Sequence, residues 1–184
     1  MVIIFTKAIN TFILTKLNDL NHICFSVLQK NIYLCTMFDM QQIIEVLHRE
    51  QCSLVVRNGA GEVTLYNKKG VRDLVWLLDN EPGRLRGASV ADKVVGKASA
   101  GLLVQGGVTE VYADVMSRLA IPLLDAAGIK YSCGETVDRI VIPKGDDRCP
   151  LERIVLDAKT ASDVEALLRQ HFEEMRNNPQ TPNS

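Results

Sequence analysis

From residue 40 onward, apolar side chains recur at two spacings, and the switches between them divide the chain into elements. Ile43, Ile44, Val46 and Leu47 lie at helical spacing and predict a short amphipathic helix ending near Glu50. Cys52 to Arg57 reads as a buried strand, and Asn58-Gly59 with Gly61 supplies the residues of a hairpin turn. Glu62 to Tyr66 alternates apolar with polar and is expected to return antiparallel to that strand. After the turn at Lys68, Lys69 and Gly70, the segment Val71 to Leu78 carries Leu74, Val75, Trp76, Leu77 and Leu78. It predicts a helix on the sheet, ended by Glu81-Pro82-Gly83.

The stretch from Ser89 to Ala120 is the one the rest is organised around. Ala91, Val94, Val95, Ala98 and Leu102 fall at helical spacing behind Ser89, an N-cap candidate with Asp92 three residues on, and Gly106-Gly107 stops the pattern. A helix from Ser89 to the stop at Gly106-Gly107 is the expectation. Its small-residue run, Gly96, Ala98, Ser99, Ala100 and Gly101, costs helix propensity and removes bulk, as where a helix lies close against a sheet or a ligand. Val108 to Met116 then predicts a strand, Ser117 to Ala127 a helix with Pro122 near its start, and Ile129 to Cys133 a second strand beyond Gly128. A strand, helix and strand of this spacing form a right-handed parallel crossover, so the sheet is mixed. Ile140 to Ile142 suggests a short strand before the loop PKGDDR. Helices over Pro150–Ala158 and Asp163–Arg176 follow, the second opened by Ser162 and Glu165 as a capping box, and the tail NNPQTPNS is expected to be disordered.

Composition narrows the class. With 184 residues, 47% of them hydrophobic, the chain has material for one ordinary core. A net charge of -1 gives no broad footprint for nucleic acid or an anionic membrane. The cysteines at 24, 35, 52, 133 and 149 form no framework of close pairs, and no run reaches the roughly 18 apolar residues of a membrane span. Reduced thiols in a cytoplasmic protein are expected. Residues 1–36 lack Gly, Pro, Arg and Glu and are interrupted by Lys16, Asp19 and His22, which a signal peptide would not be. The working chain is expected to begin at Met37 or Met40. Residues 1–39 are then an atypical extension, 40–176 the domain and 177–184 the tail.

The order helix, hairpin, helix, then strand, helix and strand resembles the cytidine deaminase-like fold. More narrowly, VVGKASAGLLVQGGVTEVYADVMS with the later Cys149-Pro150-Leu151-Glu152 is similar to an uncharacterised prokaryotic family with that fold and without its zinc motifs. The resemblance covers about residues 40–158. It implies an α/β three-layer domain, a mixed sheet of four or five strands with helices on both faces. Active zinc deaminases open the helix after the first hairpin with His-Ala-Glu or Cys-Ala-Glu and the next with Pro-Cys-x-x-Cys, three ligands and a proton-shuttling carboxylate. On this resemblance the first motif is replaced by Lys97-Ala98-Ser99, and the second falls near Ser117-Arg118-Leu119-Ala120 without a cysteine. No metal and no cofactor are expected. His48-Arg49-Glu50, with Cys52 nearby, matches His-x-Glu, yet it ends the helix before the hairpin and no Cys-x-x-Cys accompanies it; His22 and His171 are isolated.

The candidate ligand-binding residues are Lys97, Ser99, Ser117, Arg118 and Glu152. Lys97 would set a positive charge on a pocket floor, or else share a solvated helix face with Lys93. Ser99 would donate to the same guest or merely be small. Ser117 and Arg118, at a strand-to-helix junction, would hold an anion or act as an N-cap and a surface arginine. Cys149 sits at a helix N-cap with Pro150 and Glu152 after it; the helix end lowers a thiol pKa and the nearby Glu152 and Asp147 raise it. Cys149 and Lys97 are the candidate catalytic groups, and no histidine is placed by sequence beside Cys149 to serve as its base. Three functions stay open: a module binding a small anionic or nucleotide-like ligand, an enzyme using Cys149 or Lys97, and a structural subunit whose helices pair into a homodimer.

Overall fold

A computed structural model describes residues 40–142 and 148–177. The expected extension and chain start, the tail after residue 177 and most of the PKGDDR loop lie outside the described residues. Helix α1 spans 40–49, and its Ile43 and Leu47, one turn apart, are fully buried. The hairpin follows as β1 (Leu54–Arg57) and β2 (Val63–Tyr66). Asn58 closes it: its side-chain oxygen accepts the N–H groups of Ala60 and Glu62 at 3.0 and 2.9 Å, and Gly61 takes a φ of 88°. Next come α2 (Arg72–Asn80), the single turn α3 (Pro82–Leu85), β3 (Ser89–Val95) and α4 (Lys97–Gly106). The chain continues through β4 (Glu110–Ser117), α5 (Ile121–Ala126), β5 (Lys130–Val137), α6 (Pro150–Ile154) and α7 (Ala161–Asn177).

The five strands form one mixed sheet in the order β2-β1-β3-β4-β5. β1 is antiparallel to both its neighbours, and β3, β4 and β5 are parallel. Leu54, Val56, Val90, Val111 and Ala113 present one face to the main core, which Leu74, Leu102, Leu103, Leu124, Val164 and Leu168 complete from the helices. Alternation turns the register partners Val55, Ala91 and Tyr112 to the other face. There α1 lies over the sheet, its His48 Nε2 meeting Asp114 Oδ1 of β4 at 2.7 Å. Among the described residues no helix is long and apolar enough to cross a membrane.

The largest departure from the expected elements is at Ser89 to Val95, which forms the central strand and not the first half of a helix. Both faces of β3 are covered at Val90 and Ala91, which are buried on opposite sides, so the two-residue alternation is hidden there. Three β-branched valines in seven residues fit a pleated strand, and the helix starts only after Gly96, whose extended backbone (φ -94°, ψ -178°) is its N-cap. The small-residue run does mark close packing. A Cβ on Gly101 would stand 2.4 Å from Val164 Cγ1, so the close neighbour is α7.

Other boundaries shift by local chemistry. Ser117 ends β4, and α5 starts later, at Ile121. β5 runs past Cys133 to Val137, and Ile140 to Ile142 contributes only a bridge from Val141 to Arg148. The capping box of α7 is Thr160 with Asp163: Thr160 Oγ1 accepts the Asp163 N–H at 3.1 Å, and Asp163 Oδ2 accepts the Thr160 N–H at 2.8 Å. Glu165 instead pairs with Arg169 at 2.7 Å, and Ser162 lies inside the helix.

Candidate functional site

A cavity of about 230 Å³ opens beyond the C-terminal end of β3, where an antiparallel neighbour on one side gives way to a parallel one on the other. Ligands of open α/β sheets favour this kind of position. One wall is the β2–α2 loop, residues 67–71. It is pinned by buried Asp73 in the first turn of α2, whose Oδ2 accepts the Lys68 N–H at 2.7 Å. The opposite wall is the start of α4 with Ile140, Cys149, Leu151 and Glu152.

Glu152 has a structural task there. It is 1% exposed; Oε2 accepts the Ile140 N–H at 2.8 Å and Oε1 the Lys97 N–H at 3.3 Å. Its carboxylate therefore occupies the N-terminus of α4, where helix dipole and free donors would otherwise attract an anion. Lys97 itself is not on the cavity wall. Its Nζ donates to the carbonyls of Leu156 and Ala158 at 2.6 and 2.7 Å, tying α4 to the segment after α6. Burial, with the charge of Lys159 adding to it, holds that ammonium below the ordinary lysine pKa. The expected face shared with Lys93 does not exist either, because Lys93 lies in β3 and donates to the Gln51 carbonyl at 3.1 Å.

Ser99 and Cys149 do share the cavity with Glu152. Ser99 is only 7% exposed, and its hydroxyl bonds to no other described residue. Cys149 is half-buried, caps α6 without a side-chain hydrogen bond, and receives no histidine neighbour on the wall. Ser117 and Arg118 are not part of this wall. They lie at the end of β4, where Ser117 Oγ accepts the Leu119 N–H at 3.2 Å and Arg118 Nε donates to Asp138 Oδ1 at 3.1 Å.

Two residues on the wall escaped the sequence reading. Asp92, taken for a helix-capping partner of Ser89, projects into the cavity region from β3, its Oδ1 accepting the Val94 N–H at 3.0 Å. Burial, reinforced by the charges of Asp114 and Asp73 and opposed by the Val94 and Lys93 N–H groups, pushes its pKa up to about 7. Exposed Lys69, read only as a turn residue, stands on the rim and bonds to no described residue. A polar residue in the middle of an apolar run was the available signal for Asp92.

The structure also reassigns the zinc comparison. The helix directly after the hairpin is α2, which opens Val71-Arg72-Asp73; Lys97-Ala98-Ser99 opens the next one, α4. Neither start offers an imidazole or a thiol, and among the described residues no group of three His, Cys, Asp or Glu side chains could hold a metal ion. His48 is committed to Asp114, edge-on to Tyr112 at 6.5 Å, rather than being a merely solvated helix end.

A family model described as TM1506, a domain of unknown function (DUF1893), matches residues 42–172. The crystal structure of a DUF1893 family protein from Thermotoga maritima superposes with a TM-score of 0.65 at 24% identity, covering 72% of this chain and 88% of that one. That likeness establishes a shared fold. None of the curated proteins matches the sequence. With the family model spanning residues 42–172, from within α1 to within α7, the chain belongs to the DUF1893 (TM1506) family.

Proposed function

We propose that the chain is a deaminase-like domain without zinc chemistry that binds a small nucleotide-like anion in the cavity beyond β3. The observation that carries this is the wall itself. Apolar surface from Val71, Val94 and Leu151 adjoins the Asp92 carboxyl and the Ser99 hydroxyl, with Lys69 on the rim. A planar nitrogen heterocycle would bury against the apolar part, donate an N–H to Asp92 and exchange a hydrogen bond with Ser99. Lys69 would face its phosphate. The anion-binding role expected of Lys97 passes to Lys69, because Lys97 is spent on backbone carbonyls. The sheet order β2-β1-β3-β4-β5 and the alternation of strands with α4 and α5 support the deaminase likeness.

The test is an NMR and native mass spectrometry titration with adenosine, cytidine, guanosine and uridine monophosphates. One of them is expected to saturate a single site, shifting amides of residues 67–71 and 96–99. Asp92→Asn and Lys69→Ala should each weaken it by about tenfold, the loss of one charge-assisted hydrogen bond. Lys97→Ala should leave it within about twofold, since that side chain touches no guest. Shifts confined to residues away from the cavity, or no saturable binding of any of the four, would remove the proposal.

A further inference from the structure

The two edges of the sheet are unlike. β2, at one edge, is four residues long, too short to template much pairing. β5, at the other, is eight residues long, contains no proline and is exposed at all but Cys133 and Val137. Its outer side meets no strand among the described residues. Such an edge invites a partner unless its own sequence selects one.

We propose that β5 pairs antiparallel with β5 of a second copy, about a two-fold axis through Gly134, so that the two five-stranded sheets run on as one. A two-fold axis normal to the sheet keeps each face on its own side, so residues opposite each other must be separated by an even number of positions. With Gly134 opposite its own copy, Cys133 faces the partner's Glu135, Ser132 the partner's Thr136, Tyr131 the partner's Val137, and Lys130 the partner's Asp138, the residue just after β5; symmetry makes each pair twice. Lys130 with Asp138 is an opposite-charge pair and Tyr131 with Val137 an aromatic on a β-branched residue, combinations that stabilise antiparallel strands, while Thr136 Oγ1 already meets Cys133 Sγ of its own strand at 3.2 Å. Neighbouring registers lose them. An axis at Cys133 sets Tyr131 against the partner's Glu135, and one at Glu135 sets that carboxylate against its own copy.

The exposed groups fit the same register. The Asp138 side chain is 89% exposed and uses Oδ1 for Arg118, leaving its second oxygen for the partner's Lys130. Tyr131, at 37%, is among the few exposed large hydrophobic residues of the domain, and the partner's Val137 would cover it. The pairing uses a sheet edge, not helices, and is independent of what the cavity binds.

Sedimentation equilibrium of the full chain between 1 and 100 µM, as an order-of-magnitude range for a weak symmetric interface, is expected to show a dimer. Lys130→Glu sets like charges opposite each other at both ends and should raise the dimer dissociation constant about tenfold or more. Adding Asp138→Lys to that variant should bring it back to within about threefold of the original. Both positions lie on the surface, and circular dichroism checks that the variants fold. A monomer at the highest concentration, a dimer that Lys130→Glu leaves intact, or a folded double variant that stays monomeric would each overturn the proposal.

Discussion

Asp92 is where a single side chain reports on the whole site. Its folded pKa of about 7 lies above the 3.9 or so of an unfolded aspartate. Between these values the folded state binds more protons than the unfolded one, so this group's contribution is fully present below about pH 4 and is lost as pH rises through 7. Asp92→Asn removes that slope. Urea unfolding should therefore show the variant gaining on the original chain at pH 8, with the gain shrinking towards pH 4. Parallel stability profiles for the two proteins would mean that Asp92 is solvated. At this scale the sequence was legible in part: Ser99, Cys149 and Glu152 were singled out and do line one cavity. Lys97 was singled out too, but a side chain of four methylenes can turn to either side of its helix. Which carbonyls it finds is decided by where the chain returns after α6. Asp92 was missed because its assignment as a cap presupposed the wrong element.

Elements were legible where period or turn residues mark them, as for β1, which is buried on both faces but ends at Asn58-Gly59. β2, α2 and α7 alternate or recur cleanly, since each keeps an exposed side. β3 exposes only Val94 clearly, and its valines with the following alanines imitate a helical stripe. The small residues of α4 make a separate prediction. A methyl on Gly101 would meet Val164 Cγ1 at 2.4 Å and Cβ at 2.5 Å, whereas one on Gly83 in α3 would meet nothing within 4 Å. Gly101→Ala should cost about 1–3 kcal/mol by overpacking α4 against α7. Gly83→Ala should stay within about 0.5 kcal/mol. Chemical denaturation of the two variants checks this, and equal effects would show that α7 yields.

For the molecule as a whole, α7 closes the core. It is the principal helical neighbour of α4, and its Val164 and Leu168 are both fully buried. A chain stopped after Lys159 would leave the face of α4 at Gly101 and its surroundings open to water and lose two large core side chains. It should show no cooperative thermal transition by circular dichroism, where the full chain shows one. Retention of a sharp transition would place the essential core within residues 40–159.

What the sequence by itself determined was the material of the fold: a mixed sheet with helices, its turn residues and its parallel crossover. Those are properties of neighbours along the chain, where side-chain period, glycine and proline act locally. Tertiary structure alone decided that Ser89–Val95 is the central strand, that Glu152 closes the end of α4, and that Asp92 and Lys69 share a wall while Ser117 and Arg118 do not. Each depends on which segments, distant in sequence, cover a face or compete for the same backbone donors. That competition leaves no periodic trace in the residues themselves.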